Sequence, residues 1–222
     1  VHRRLEHIEG KLYTIVGLSD SLKDKTVAGT LFGQGLAAEE RDDPTNALRL
    51  YAEVLTHDPT CAAAWINTGR IFFTRSDFSE AERCFRKALE LKPSYALAHF
   101  DLAVTLDKKI TPSYLEKKAI LQEVITHYLA AVRSQPNYAD AHFNLALAYV
   151  EAYLRGKAIC HYHLYLQYSS SSGEKVGRGF AQKEIERLKR ELLNGSNLQV
   201  VARSVASIDP VESSMPIAAS DE

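Results

Sequence analysis

The sequence predicts an all-α chain built as a stack of antiparallel helix pairs, and three observations carry that prediction. Apolar and small residues recur at spacings of three and four, the period of an amphipathic helix rather than a strand. Short polar breaks interrupt these runs at regular intervals. The same arrangement of large and small residues also returns with a period of 34 residues, as in a repeated two-helix unit.

Residues 62–95 form the most regular unit. Trp65, Gly69, Phe72 and Phe73 give one apolar face, and Ala81, Phe85, Ala88 and Leu89 give a second. Ser76 and Asp77 fall in the turn between them, and Pro93 ends the second helix. Gly69 and Ala81 let the two helices approach closely, while Ala88 leaves room for the next pair. Trp65, Gly69, Ala81, Phe85, Ala88 and Pro93 occupy offsets 4, 8, 20, 24, 27 and 32 of the unit. In this the segment resembles a tetratricopeptide repeat. The resemblance implies a right-handed superhelical solenoid of antiparallel helix pairs.

The remaining chain is read in the same phase. Residues 1–27, with Leu5, Ile8, Leu12 and Ile15 on one face, are expected to be an N-terminal helical cap or the remnant of a preceding region. Residues 28–61 repeat the unit through Leu31, Gly35, Ala38, Ala47, Tyr51, Val54 and Pro59, with Asp43 as helix cap and Pro44 in the first helical turn. Gly33 and Gly35 read as packing glycines. Residues 96–138 keep the phase through His99, Leu102, Ala103 and Leu106 but reach their closing Pro136 nine residues late. Thr111-Pro112-Ser113 with Glu116 is a capping-box start, so the insertion is expected to lengthen the second helix by about 13 Å at 1.5 Å per residue. That overhang would carry Lys117 and Lys118 close to Lys108 and Lys109, as a solvated insertion or a secondary contact site.

Residues 139–172 are the fourth unit, with His142, Leu145, Ala146, Tyr149, Ala158 and Tyr162 in phase. Here Gly156 falls late, so the first helix is expected to run on through Tyr153 and Leu154. Tyr165 replaces a small residue, and no proline closes the unit. After a loop at 169–177, two amphipathic segments within 173–210 read as capping helices, and 211–222 as a linker-like tail.

Composition bounds the function. A net charge of −1 lacks the basic surplus of a general nucleic-acid binder, so no direct nucleic-acid contact is expected. Cys61, Cys84 and Cys160 are odd in number and widely spaced, unlike a disulfide framework or zinc knuckle. No apolar run reaches membrane-spanning length. The expectation is a cytoplasmic protein, with the nucleus left open. No phosphate loop, catalytic constellation or metal-ligand spacing is present, and His99 and His142 share the offset of Trp65, which reads as packing. The chain is therefore expected to be no enzyme and to need no cofactor.

The family resemblance directs attention to the first helices, which line a concave groove in such stacks. Offset 5 holds Phe32, Ile66, Phe100 and Phe143; offset 6 holds Asn67, Asp101 and Asn144; offset 9 holds Leu36, Arg70, Val104 and Leu147. Phe73 joins them at offset 12, beside Glu39, Asp107 and Val150 in the other units. A largely apolar face with interspersed asparagines suits an extended peptide or amphipathic helix of a protein partner. Some family members grip a chaperone's C-terminal carboxylate with a lysine–asparagine clamp. Here only Asn67 matches that arrangement. Phe32, Leu36, Leu97 and Asp101 stand at the other four positions, and Asp101 would repel a carboxylate. The expected function is a non-enzymatic interaction scaffold without that clamp. The alternatives are a self-associating structural adaptor, hence a homo-oligomer, or a regulatory repeat region of a larger protein.

Overall fold

A computed structural model of the chain describes residues 24–109, 114–169 and 175–194. The expected N-terminal cap before residue 24, the Thr111-Pro112-Ser113 helix start, the second capping segment and the 211–222 tail lie outside the described residues. Nine helices are described, with no strand among the described residues: α1 (24–40), α2 (Pro44–His57), α3 (Ala62–Thr74), α4 (Phe78–Leu91), α5 (Ala96–Lys108), α6 (Tyr114–Ser134), α7 (Ala139–Glu151), α8 (Arg155–Tyr168) and α9 (Lys175–Asn194). The chain divides into two compact units, the first ending at Pro93 and the second beginning at Ser94.

Within the first unit, α1 and α2 pack through Ala28, Ala38, Ala47, Leu50, Tyr51 and Val54, joined by Ala64 and Ile71 of α3. Close approach depends on missing side chains. A Cβ on Gly35 would stand 2.5 Å from the Tyr51 ring, and one on Gly69 would stand 2.7 Å from the Phe85 ring and 3.1 Å from Cys84 Cβ. Gly33 differs: its added Cβ would meet nothing within 4 Å, so it is not a packing glycine. Ala81 and Ala88 are fully buried, as their place between helices requires.

The turn inside each pair follows one design. Asp42, Ser76 and Tyr153, all at offset 15, take left-handed φ of 58°, 62° and 60°. The next amide in each case donates five residues back, Asp43 to Ala38 O at 2.9 Å, Asp77 to Phe72 O at 2.9 Å and Leu154 to Tyr149 O at 2.8 Å. This Schellman closure satisfies the carbonyls that a helix end leaves open. It also corrects the expectation that α7 would run on through Leu154. The helix stops at Glu151 because Tyr153 itself supplies the left-handed residue, without a glycine. On the far side of the turn, Asp43 accepts from the Asn46 amide at 3.1 Å and Asp77 from the Glu80 amide at 3.3 Å, capping α2 and α4.

In the second unit α6 has 21 residues where α2, α4 and α8 have 14. Seven of the nine inserted residues therefore extend the helix, by about 10 Å rather than 13 Å, and two lengthen the connection before it. Pro59, Pro93 and Pro136 each follow their helix by two residues. Where α8 lacks such a proline, Arg178 from α9 closes the end, donating to Leu166 O at 2.6 Å and to Ser169 O at 3.1 Å and Oγ at 2.6 Å. The α9 helix begins at Lys175, earlier than expected, with Gly177 inside it against the Tyr165 hydroxyl. Tyr165 thus spends its extra bulk on reaching α9. An ion-pair network of Arg155, Glu191, Arg187 and Glu184 ties the other end of α9 to the start of α8.

Candidate partner-binding faces

In the first unit, one hydrogen-bonded chain links α1, α2 and α3. The Tyr51 ring is buried and lies 5.6 Å from the Phe32 ring. Its hydroxyl donates to Glu39 and accepts from Asn67 Nδ2 at 3.2 Å. Burial, and then the Glu39 carboxylate, pushes this phenol well above its ordinary pKa, so it stays a neutral donor. Asn67 is thereby held in place, with its carbonyl and second N–H left over. Leu36, one helical turn beyond Phe32, is 42% exposed, and Arg70, one turn beyond Asn67, is also exposed. Phe73 is half-buried against Phe78, with ring centroids 5.4 Å apart. Ile66 is the exception. It is 1% exposed and belongs to the helix packing, which corrects its assignment to an open face.

The second unit repeats the constellation. Phe100 lies 5.9 Å from Tyr128 and 4.9 Å from Tyr138. Asn144 hydrogen-bonds the Tyr128 hydroxyl, and Asp107 acts on the same phenol electrostatically. Phe32, Glu39, Tyr51 and Asn67 therefore correspond, offset for offset, to Phe100, Asp107, Tyr128 and Asn144. Phe143 is half-buried among Tyr165 at 4.9 Å, Phe180 at 5.8 Å and Tyr162 at 5.9 Å. Val104 and Asp101 are half-buried, while Leu147 is 38% exposed. The Tyr162 hydroxyl, at the offset of Tyr51 and Tyr128, is buried with no hydrogen-bond partner. Its place in the pattern lacks the asparagine: Arg178, at the corresponding offset, caps α8 instead.

Of the four lysines predicted as a secondary contact, Lys117 pairs with Glu151 at 2.6 Å, joining α6 to α7. Lys109 forms the C-cap of α5, and Lys108 and Lys118 are exposed.

Sequence reading missed one further arrangement. His99 and His127 stand with Nδ1 atoms 3.0 Å apart, and His142 and His161 with Nδ1 atoms 2.9 Å apart. Both pairs occupy offsets 4 and 23 of their units, once the insertion is allowed for. Repetition of histidine at that couple of offsets was the available signal. His142 Nε2 donates to Pro136 O at 2.9 Å, which leaves its Nδ1 bare to accept the Nδ1–H of His161. Burial pushes the His142 imidazole down to about 4, so this ring is neutral near pH 7. Among the described residues no group of three or more His, Cys, Asp or Glu is arranged to hold a metal ion. Nor, among them, is any helix long and apolar enough to cross a membrane.

Helix pairs repeating one set of packing offsets, with a shared turn geometry, set a narrow field of folds, and a family model described as tetratricopeptide repeat matches residues 32–96 and 72–109. Over residues 32–109 the chain carries tetratricopeptide repeats. Tetratricopeptide repeat protein 6 of Homo sapiens is 31% identical over 94 residues, which is 41% of this chain and 18% of that protein. Superkiller complex protein 3 of Mus musculus is 30% identical over 105 residues, 47% of this chain and 6% of that protein. The chain thus spans less than a fifth of the length of these curated relatives. Two solved tetratricopeptide-repeat structures share the fold at 16% identity and a TM-score of 0.59. One is YrrB, described as having an unusual peptide-binding site, with 79% of this chain and 84% of that chain covered. The other is a thermophilic protein from Thermus thermophilus, with 81% and 97% covered.

Proposed function

We propose that this chain is a non-enzymatic protein–protein interaction scaffold whose first-helix faces receive an extended or helical peptide of a partner. The observation that carries the reading is the duplicated constellation. In each unit an aromatic residue, a carboxylate and a tyrosine-held asparagine lie beside an exposed leucine, Leu36 or Leu147. An asparagine fixed by a buried phenol is a pre-oriented donor and acceptor for a peptide backbone, and orientation in advance lowers the entropy cost of binding. The peptide-binding site named for YrrB supports the use of this fold for such a ligand. The clamp that grips a C-terminal carboxylate is not part of the proposal, since Asp101 stands where a cation would be needed.

Leu147→Glu combined with Asn144→Ala alters this face and, at the core, removes the hydrogen bond of Asn144 to the Tyr128 hydroxyl. Affinity capture from native lysate should lose the partner recovered by the unaltered chain, while far-UV circular dichroism stays unchanged. Equal recovery by both chains would remove the reading.

A further inference from the structure

Three units carry a buried tyrosine at the same offset, and the third of these differs from the other two. Tyr51 donates to Glu39 and accepts from Asn67, and Tyr128 is hydrogen-bonded by Asn144. Tyr162 is fully buried, and its hydroxyl has no hydrogen-bond partner among the described residues. Val150 stands at the offset of the carboxylate, and Arg178, at the offset of the asparagine, is engaged at the end of α8. Packing does not call for the hydroxyl, because Phe85 fills the same offset in residues 62–95 and is equally buried. A buried hydroxyl without an acceptor costs stability, so its acceptor is to be sought outside the chain's own packing.

Two apolar rows border the Tyr162 ring. Phe143 and Leu147 lie one turn apart on α7, and Val176 and Phe180 lie one turn apart on α9. The Phe143 and Phe180 rings, 5.8 Å apart, join the rows, and they stand 5.9 Å and 6.4 Å from the Tyr162 ring. Leu147 is exposed, Phe180 is 43% exposed and Val176 is 88% exposed, a contiguous apolar surface of the kind that marks a contact site. The charges on this part of α9 are paired within the chain, Glu184 with Arg187 and Glu191 with both Arg187 and Arg155. A carboxylate brought to the Tyr162 hydroxyl would find these cations already engaged and would be buried uncompensated. A neutral carboxamide would not carry that cost.

We infer that the face between α7 and α9 receives a segment of a protein partner whose asparagine or glutamine side chain accepts the Tyr162 hydroxyl, flanked by apolar side chains against Leu147 and Phe180. This rests on the scaffold reading above and deepens it by naming the partner's chemistry. The partner supplies the polar group that Glu39 and Asn67 supply to Tyr51 within the first unit. Phe180 is the half-exposed neighbour of Tyr162, and a change of its rotamer, fast for an exposed side chain, admits the amide. A partner lacking the amide leaves the donor unsatisfied, which is how a buried hydroxyl confers selectivity.

Panning a displayed library of random peptides against the full chain tests this directly. Enriched sequences should carry an asparagine or glutamine beside apolar residues. A synthetic copy of one such peptide should bind roughly tenfold more weakly to the Tyr162→Phe chain, and Phe180→Ala should weaken it as well. Replacing the peptide's amide residue by leucine should cost as much on the unaltered chain and nothing further on Tyr162→Phe, as a double-mutant cycle requires of a direct contact. In urea, Tyr162→Phe should be at least as stable as the unaltered chain, since it removes an unsatisfied group. Equal affinity for the two chains, or enrichment of peptides without an amide, would overturn the inference while leaving the scaffold reading standing. A Tyr162→Phe chain of lower stability would do the same, because it would assign the hydroxyl to an ordered water inside the fold. Absence of any enrichment would overturn both readings. A dimer in light scattering that buries this face would assign it to a second copy and overturn the partner assignment, as would competition by a synthetic 195–210 segment equal to that of the enriched peptides.

Discussion

Gly69 and Gly33 both sit in first helices, and the same substitution should move stability in opposite directions at the two. A methyl group at Gly69 would press on the Phe85 ring at 2.7 Å and on Cys84 Cβ at 3.1 Å. Overpacking of this kind costs about 1–3 kcal/mol, which outweighs the gain of up to about 1 kcal/mol from replacing a helical glycine by alanine. At Gly33 the added methyl meets nothing within 4 Å, so only the gain remains. Urea unfolding should place Gly69→Ala below the unaltered chain and Gly33→Ala above it by about 0.5–1 kcal/mol. The sequence alone named both Gly33 and Gly35 as packing residues, because an apolar helical run looks alike on either side of a glycine. Only the opposing residue, Tyr51 in one case and none in the other, separates them. Ile66 shows the same limit: its offset is a groove offset in the family, yet local packing buries it.

At the scale of the helix pair, the offset pattern made α2 through α8 legible, together with the Asp43 cap, because each rests on a local rule. The end of α7 was not legible. Its left-handed residue is Tyr153, and a tyrosine at positive φ is set by the closure of the turn rather than by its own preference. The histidine pairs escaped for a different reason, since each joins residues 28 or 19 positions apart that are unremarkable singly. They carry a pH prediction. His142 in the folded chain has its imidazole lowered to about 4, whereas an unfolded histidine titrates near 6.5. Between those values the unfolded chain binds the extra proton, so stability is fully present above about pH 6.5 and is lost as pH falls toward 4. Among the groups facing the pair are the Pro136 carbonyl, the Tyr149 and Tyr168 rings and Lys157 over Tyr149. The linkage amounts to at most about 2 kcal/mol at pH 5. His142→Leu with His161→Leu copies the Leu31 and Leu50 of the first unit. That variant should show a smaller stability loss between pH 7 and pH 5 than the unaltered chain, measured by urea unfolding at each pH.

For the whole molecule, the fold was the most legible property because its determinants are redundant: every pair repeats the small residues at its crossings, so a few departures do not hide the period. The partner was the least legible. Face positions vary from unit to unit by design, and their meaning depends on neighbours such as Tyr51 or Tyr162 that come from other helices. The division into two compact units adds a consequence at this scale. Trp65 is the sole tryptophan, and it lies in the first unit, half-buried with the Arg83 guanidinium 5.8 Å from its ring. Both histidine pairs lie in the second unit, on α5 to α8. Repeat chains lose structure in segments when one region is weakened, since each segment has its own packing. Acid should therefore act first where the neutral His142 imidazole is buried. In a titration from pH 7 downward, far-UV circular dichroism should report loss of helix before the selectively excited tryptophan fluorescence changes. Coincident transitions by the two probes would show instead that the chain responds as a single cooperative body, and the acid sensitivity would then belong to the chain as a whole rather than to its second unit.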